Sequence, residues 1–450
     1  MERDLTTGKI TGKLFLFALP LMAGNVLQQF YNLVDTWVVG KFIGADVLAA
    51  VGSSYTLMTF LTSILLGLCM GSSAYFAIQY GKKDFSGLQK GIFLSFLLIG
   101  GIAIALNLFV FINVDWIIKV LQVPEEIQGL MWEYLVYVFI GIMATFLYNY
   151  FANLLRAVGN SVIPLLFLGV SVVLNVVLDL VFVMKFRWGV KGTAVATVIA
   201  QYAAGIGLFL YYHFGCRELR VERKSMQWDG NVLRSIISLS FLTCLQQSVM
   251  NFGILMVQGL VNRFGTVVMA AFAAAVKIDT VAYMPVQDFG NAFSTFVAQN
   301  FGAGKMERIR KGIKSSLVCV LIFCSVTSLL VCLFARPLMG IFIPQEQQQV
   351  IEVGVGYLRI EAVFYFGIGL LFMLYGFYRA VEKPGMSLVL TICSLGTRVV
   401  LAYVLSAIPA IGVTGIWVSI PIGWFLADAV GVVYYMRNYH NELYTKTHKS

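Results

Sequence analysis

The sequence predicts an all-α, polytopic membrane protein with twelve transmembrane helices in two parallel six-helix repeats around a central cleft. Its composition, the length of its uncharged runs and an internal repeat carry that prediction. Of 450 residues, 59% are hydrophobic and 12% are charged. A soluble domain carries about 25% charged residues, so a soluble enzyme is excluded. One helical crossing takes about 20 apolar residues, and uncharged runs of that order follow one another from end to end. In lipid each backbone polar group must be paired within its own segment, so these runs are helices. The alternating ten-residue stretches of a barrel are absent.

Breaks at charged or turn-forming clusters place helix starts near residues 14, 46, 91, 131, 162, 190, 232, 266, 313, 353, 386 and 411. The first apolar segment, from about Leu14 to Gly40, outlasts the core of a cleavable signal and reads as the first span. With the N-terminus inside, 22 of the 32 Lys and Arg residues fall on the cytoplasmic face. The positive-inside rule then puts both termini in the cytoplasm of a cell (inner) membrane. The same rule accounts for the net charge of +10, so no nucleic-acid partner is expected. Seven scattered cysteines, without a C-x-x-C pair, read as small hydrophobes.

Self-similarity supplies the third observation. Shifted by 221 positions, Gly44 meets Gly265, Thr59 meets Thr280, Gly81 meets Gly302 and Lys90-Gly91 meets Lys311-Gly312. Further on, a shift of 223 lays Arg156-Ala157-Val158 on Arg379-Ala380-Val381 and Gly189-Val190 on Gly412-Val413. Six spans return a chain to its starting side, so the halves point the same way, the parallel arrangement found in transporters. The expected organisation is a cytoplasmic segment at 1–13, an N-lobe at 14–212, a charged linker at 213–231, a C-lobe at 232–437 and a cytoplasmic tail at 438–450.

Polar side chains within spans are costly, so each is a functional candidate. The first span carries Gln28, Tyr31, Asn32 and Asp35 at helical spacing, downstream of Pro20, which can bend the helix. The fourth offers Asn149 and Asn153, and the fifth Ser171, Asn175 and Asp179. Three spans thus supply groups that could converge in one lobe. Two carboxylates in one low-dielectric pocket do not both stay ionised without a cation, so such a site takes up H+ or Na+. The same amides could instead stitch helices together. The second half holds Lys277, Asp279, Tyr283, Gln287 and Asp288, then Glu361, Tyr365, Arg398 and Asp428. Lys277 and Asp288 share a helical face by spacing, Pro285 between them is a candidate break, and Arg398 with Glu361 is a candidate ion pair. No P-loop, H-E-x-x-H or G-x-S-x-G is present, and the three histidines lie outside the spans. The chain therefore reads as a non-enzyme without a cofactor, driven by an ion or substrate gradient.

The segments Asp35–Gly52 (DTWVVGKFIGADVLAAVG), Arg156–Pro164 (RAVGNSVIP) and Gly189–Thr197 (GVKGTAVAT) resemble signatures of the multidrug and toxic compound extrusion (MATE) transporters. The resemblance covers essentially the whole chain and is nearest to the DinF-like prokaryotic type. It implies two lobes around a V-shaped cleft and antiport of organic, often cationic, lipophilic compounds against H+ or Na+, by a monomer in the lipid bilayer. It assigns the coupling ion to Asp35, with Asp179, Asn175, Asn149, Asn153 and Tyr31 beside it and Pro20 as the bending residue. NorM-type members carry an acid on the seventh helix, where this chain has Gln246, Gln247 and Asn251, so the resemblance does not extend to a C-lobe sodium site. Two other readings stay open. A lipid-linked oligosaccharide flippase would use Lys277 and Arg398 against a pyrophosphate, and an intramembrane enzyme would need a metal or a nucleophile within the spans.

Overall fold

In a computed structural model, the backbone of residues 4–42, 45–120 and 125–440 is described. Side chains at 33–42, 45–56, 120, 126, 127 and 440 lie outside that description. The described residues form helices α1 (Ile10–Phe42), α2 (Ala45–Lys82), α3 (Phe85–Val120), α4 (Glu125–Ile140), α5 (Ile142–Ala157), α6 (Val162–Leu180) and α7 (Val190–Gly215). They continue as α8 (Gly230–Val261), α9 (Thr266–Gly302), α10 (Met306–Phe342), α11 (Gln348–Val363), α12 (Tyr365–Ala380), α13 (Pro384–Ser406) and α14 (Thr414–Tyr435). Among the described residues ten helices are long and apolar enough to cross a membrane by themselves, and counting each of two bent pairs as one span brings the number to twelve. α10 shows why lipid is the solvent, because Val318, Leu321, Ile322, Val326, Leu329 and Leu333 all stand exposed on it.

The bent pairs form the fourth and tenth spans. α4 and α5 meet at 40°, and α11 and α12 at 54°. The breaks fall at Gly141 and Phe364, positions that coincide under the 223-residue shift. At Gly141 a Cβ would sit 2.9 Å from the Val138 carbonyl and 3.0 Å from Gln201 Oε1, so the tight turn there admits no side chain. By contrast, Pro285 does not break α9, which runs unbroken from Thr266 to Gly302. Pro20 likewise lies inside a continuous α1.

Left-handed turns repeat as well. Residues with positive φ pair off as Lys83 with Gly304, Gly159 with Glu382 and Gly189 with Gly412, each at the 221 or 223 offset. After α2 the Lys83 and Asp84 amides donate back to Tyr80 and Gln79, and after α9 those of Gly304 and Lys305 donate to Phe301 and Asn300. The same C-terminal cap closes both helices. One repeat meets the turn with glycine where the other places a side chain in a conformation that disfavours it.

The chain divides into two compact units, but not at the charged linker. Unit 1 comprises residues 1–4 and 19–244, and unit 2 comprises 5–18 and 245–450. The divisions fall inside α1 and α8, so each repeat's first helix starts in the other unit. Side-chain bonding gives the reason. In unit 2, Leu5 is fully buried, its N–H donates to Gln299 Oε1 at 3.1 Å, and Arg308 donates to the carbonyls of Leu5, Thr7 and Gly8 at 3.2, 2.7 and 2.7 Å. In unit 1, Gly67 and Gly71 of α2 form a G-x-x-x-G face that lets the backbone of α8 come close, against Cys244 and against Leu239 and Ser240. Ser72 and Ser240 share a hydrogen bond of 2.8 Å beside it.

The linker after α7 is itself bonded to unit 1. Gln89 of α3 donates to the Glu218 carbonyl and accepts from Glu222 N–H and the Ser225 hydroxyl. Asp229 caps α8, accepting from the Asn231 and Val232 amides, with Lys90 at 3.6 Å. The Val232 N–H first, then that of Asn231 and the Lys90 ammonium, hold its carboxyl below the usual aspartate range.

Two substitutions test this packing by thermal unfolding in detergent. Glu382→Gly relieves a left-handed side chain and should stabilise by about 1 kcal/mol. Gly71→Val places a Cβ against the Leu239 carbonyl and should destabilise by about 1–3 kcal/mol.

Candidate functional site

Unit 1 gathers polar groups from α1, α6 and α7. Asp179 and Asn175 lie one turn apart on α6 and are 0% and 1% exposed. A carboxylate accepts only, so the Asn175 amide nitrogen must face it. In that orientation it donates to Asp179 Oδ2 at 3.0 Å, and its oxygen accepts from the Thr197 N–H at 3.3 Å. The Thr197 hydroxyl lies 3.3 Å from the same end of the amide and accepts from the Tyr31 hydroxyl at 3.2 Å. A chain of contacts therefore runs from α1 through α7 to a fully buried carboxyl on α6. Ser171 ties α6 to α7 by donating to the Ala200 carbonyl at 3.0 Å.

The residues expected from sequence divide around this chain. Tyr31, Asn175 and Asp179 join it. Asn149 and Asn153 do not, because their amides donate one turn back to Thr145 and Asn149 carbonyls of their own helix. Gln28, Asn32 and Pro20 are half-buried on α1. Asp35 lies outside the described side chains. Thr197, which sequence reasoning does not single out, is the joint of the network, and its spacing of four from Thr193 on α7 is the signal that points to it.

Unit 2 holds a second polar centre made of different groups. Asp279 on α9 accepts from Tyr365 at 2.6 Å on Oδ1 and from Tyr357 at 3.3 Å on Oδ2. The Tyr357 ring is fixed edge-on to Trp417 and Phe272, with centroids 5.0 and 5.5 Å apart. Glu361, in the last turn of α11 at the 54° break, is fully buried, and among the described residues neither of its carboxyl oxygens has a hydrogen-bond partner. Its own carbonyl accepts from Phe364 N–H at 3.0 Å. Arg398 lies on α13. Among the described residues it forms no ion pair within 4.0 Å, so the contact pair expected between Arg398 and Glu361 is not made. Tyr357, Glu361 and Tyr365 follow at intervals of four residues, a spacing that would have revealed Tyr357.

The other second-half candidates stand apart. Lys277 is exposed, its ammonium 6.0 Å from the centre of the Phe342 ring, whereas Asp288 is 3% exposed. Eleven residues of helix put them about 16 Å apart along the axis, so spacing on one face does not bring them into one environment. Among the described residues no group of three or more His, Cys, Asp and Glu side chains is arranged to hold a metal ion.

Against this geometry stand the comparisons with known proteins. The MatE family profile matches residues 20–181 and 239–404. "Probable multidrug resistance protein YpnP" of Bacillus subtilis is 30% identical over 435 residues, covering 96% of each chain. "Multidrug export protein MepA" of Staphylococcus aureus is 23% identical, covering 94% of this chain and 93% of its own. The outward-facing structure of a multidrug resistance MATE transporter of the MOP superfamily shares the fold with a TM-score of 0.90 at 22% identity, covering 98% of both chains. A profile matched in both halves, a relative similar along nearly the whole length and a shared fold lead to one conclusion: this chain belongs to the MatE family, the multidrug and toxic compound extrusion transporters, and is a multi-pass membrane transporter, not an enzyme.

Proposed function

We propose that the protein is a secondary active antiporter that exports organic, often cationic and lipophilic compounds in exchange for H+ or Na+ by alternating access. The observation that carries this reading is the fully buried Asp179, bonded through Asn175 and Thr197 to Tyr31 on α1. An ionised carboxyl removed from water needs a cation, and loading that cation changes what Asn175, Thr197 and Tyr31 bond to. Asp35, one turn beyond Tyr31, is the second carboxyl of this coupling site. Asn149 and Asn153 complete the site, offering their side-chain amide oxygens to the cation or to substrate. Coupling requires that ion and substrate favour different conformations of the lobes. The names of YpnP and MepA support a drug as the cargo.

The protein works as a monomer in the cell membrane, with both termini cytoplasmic and a lobe division at the 213–231 linker as its functional boundary. The flippase reading is the weaker one. It asks Lys277 and Arg398 to meet a pyrophosphate, while Lys277 stands exposed beside Phe342.

Proteoliposomes loaded with ethidium, under separately imposed proton and sodium gradients, test the reading. Wild type should export under at least one of them, and Asp35→Asn and Asp179→Asn should each fall to the rate of protein-free vesicles while remaining folded in the membrane. Export by either variant at the wild-type rate would remove that acid from the mechanism. Thr197→Val deletes one shared hydroxyl and should slow export by roughly fivefold, the equivalent of about 1 kcal/mol.

A further inference from the structure

The two repeats carry charge unequally at one place. In unit 2, residues 5–18 and 305–315, around the starts of α1 and α10, hold seven Lys and Arg residues and one acid, Glu307. The positions equivalent at the 221-residue offset, 226–239 and 84–94, hold two cations and two acids. The helices are equivalent in both places, so the fold does not require the excess. Six spans apart, the two places lie on one side of the membrane, so the positive-inside bias does not single out either of them.

Most of these cations already have partners. Arg308 donates to the carbonyls of Leu5, Thr7 and Gly8, Lys305 to that of Thr6 at 2.8 Å, and Lys13 to the Thr7 hydroxyl at 3.1 Å. Lys311 pairs with Glu307 at 2.7 Å, one turn away on α10. Lys9 and Lys314 differ from these. Both are exposed, and the ion pairs among the described residues include neither of them. At the same two positions the other repeat has Gly230 and Phe93.

A hydrogen bond of 2.7 Å between the Thr11 and Ser315 hydroxyls holds together the turns that bear these two lysines. Along one face of α10, Lys311 and Lys314 are followed at helical spacing by Val318, Leu321 and Ile322, all exposed. The order on α1 is the same, with Lys9 at the helix start and Phe15 and Leu16 exposed about two turns on. This change from ammonium groups to bare apolar surface marks the level at which headgroups give way to acyl chains, and a lysine stem lies along apolar surface while its charge stays in the polar layer. A soluble anion would use the lysines and leave the apolar stripe bare. A phospholipid of negative charge uses both.

We propose that the border of α1 and α10 binds an anionic phospholipid, whose phosphate meets Lys9 and Lys314 and whose chains cover Phe15, Leu16 and Val318. The inference goes beyond the transport reading and does not rest on it.

The experiment uses the purified full-length protein in detergent. It reads displacement of an acyl-labelled fluorescent phosphatidylglycerol by unlabelled phosphatidylglycerol or by phosphatidylcholine with the same chains. Wild type should prefer phosphatidylglycerol by about tenfold, the order that two lysines at an anionic headgroup supply. Lys9→Gln combined with Lys314→Gln should bring the preference close to one. Lys90→Gln combined with Arg234→Gln removes the same charge from the other repeat and should leave the preference at the wild-type value. Equal binding of both lipids by wild type, a preference that survives in the Lys9 and Lys314 variant, or an equal loss in both double variants would overturn the proposal. Glycerol 3-phosphate in excess should not displace the labelled lipid; displacement would assign the lysines to a soluble phosphate and overturn it too. Should the lysine variant fail to fold, wild type at rising salt still decides, because a preference that salt does not weaken does not come from exposed charges. Export enters none of these readouts, so failure of the transport reading and failure of this one are told apart.

Discussion

A charged group inside hydrocarbon must find its opposite charge within the protein or bring one in from solution. Most of what is specific about this molecule follows from that constraint. Its backbone meets it by folding into helices, because neither water nor lipid will bond a free amide at that depth. Its side chains meet it in two ways. In unit 1 the neutral amide of Asn175 donates to Asp179. In unit 2 two phenols, those of Tyr365 and Tyr357, donate to Asp279.

Packing between helices obeys the complementary rule that apolar surfaces gain little from one another in lipid, so contact must come from close backbone approach. Gly67 and Gly71 serve this between α2 and α8. Gly290 and Gly376 do the same between α9 and α12, where a Cβ on Gly376 would lie 2.6 Å from the Gly290 carbonyl. Phenol and indole rings then fill what remains: Tyr357 sits edge-on to both Trp417 and Phe272, and that wedge is what aims its hydroxyl at Asp279. The polar centre and the aromatic core of unit 2 are one construction.

The helices were legible in the sequence because hydrocarbon thickness and charge punctuation leave few alternatives; the twelve starts read from composition fall within about two helical turns of the observed ones. The repeat was legible too, and it reappears in the paired breaks at Gly141 and Phe364 and in the paired left-handed turns. The breaks themselves were not legible. Nothing in the apolar run around Phe364 marks it, and Gly141 looks like any glycine of a membrane helix until Val138 and Gln201 are seen to crowd it. Proline misled at Pro285, which sits inside a continuous helix. In the candidate site, Tyr31, Asn175 and Asp179 could be found by helical spacing, but Thr197 was harder to find, because its role depends on which face of α7 meets α6. Asn149 and Asn153 carried the right chemistry and the right spacing, yet bond to their own helix. Spacing places a side chain on a face, and only packing decides what that face meets.

The way α1 and α8 are divided has a consequence for the molecule as a covalent object. Leu5 to Ala18 are held by unit 2 through Arg308 and Gln299, whereas residues up to Cys244 belong to unit 1. A nick in the charged loop between the repeats would therefore not yield two self-sufficient halves. Each fragment would retain a stretch of helix whose bonding partners reside in the other, so the halves are laced together by their leading ends, and the duplication that built this chain cannot be undone by cutting it once.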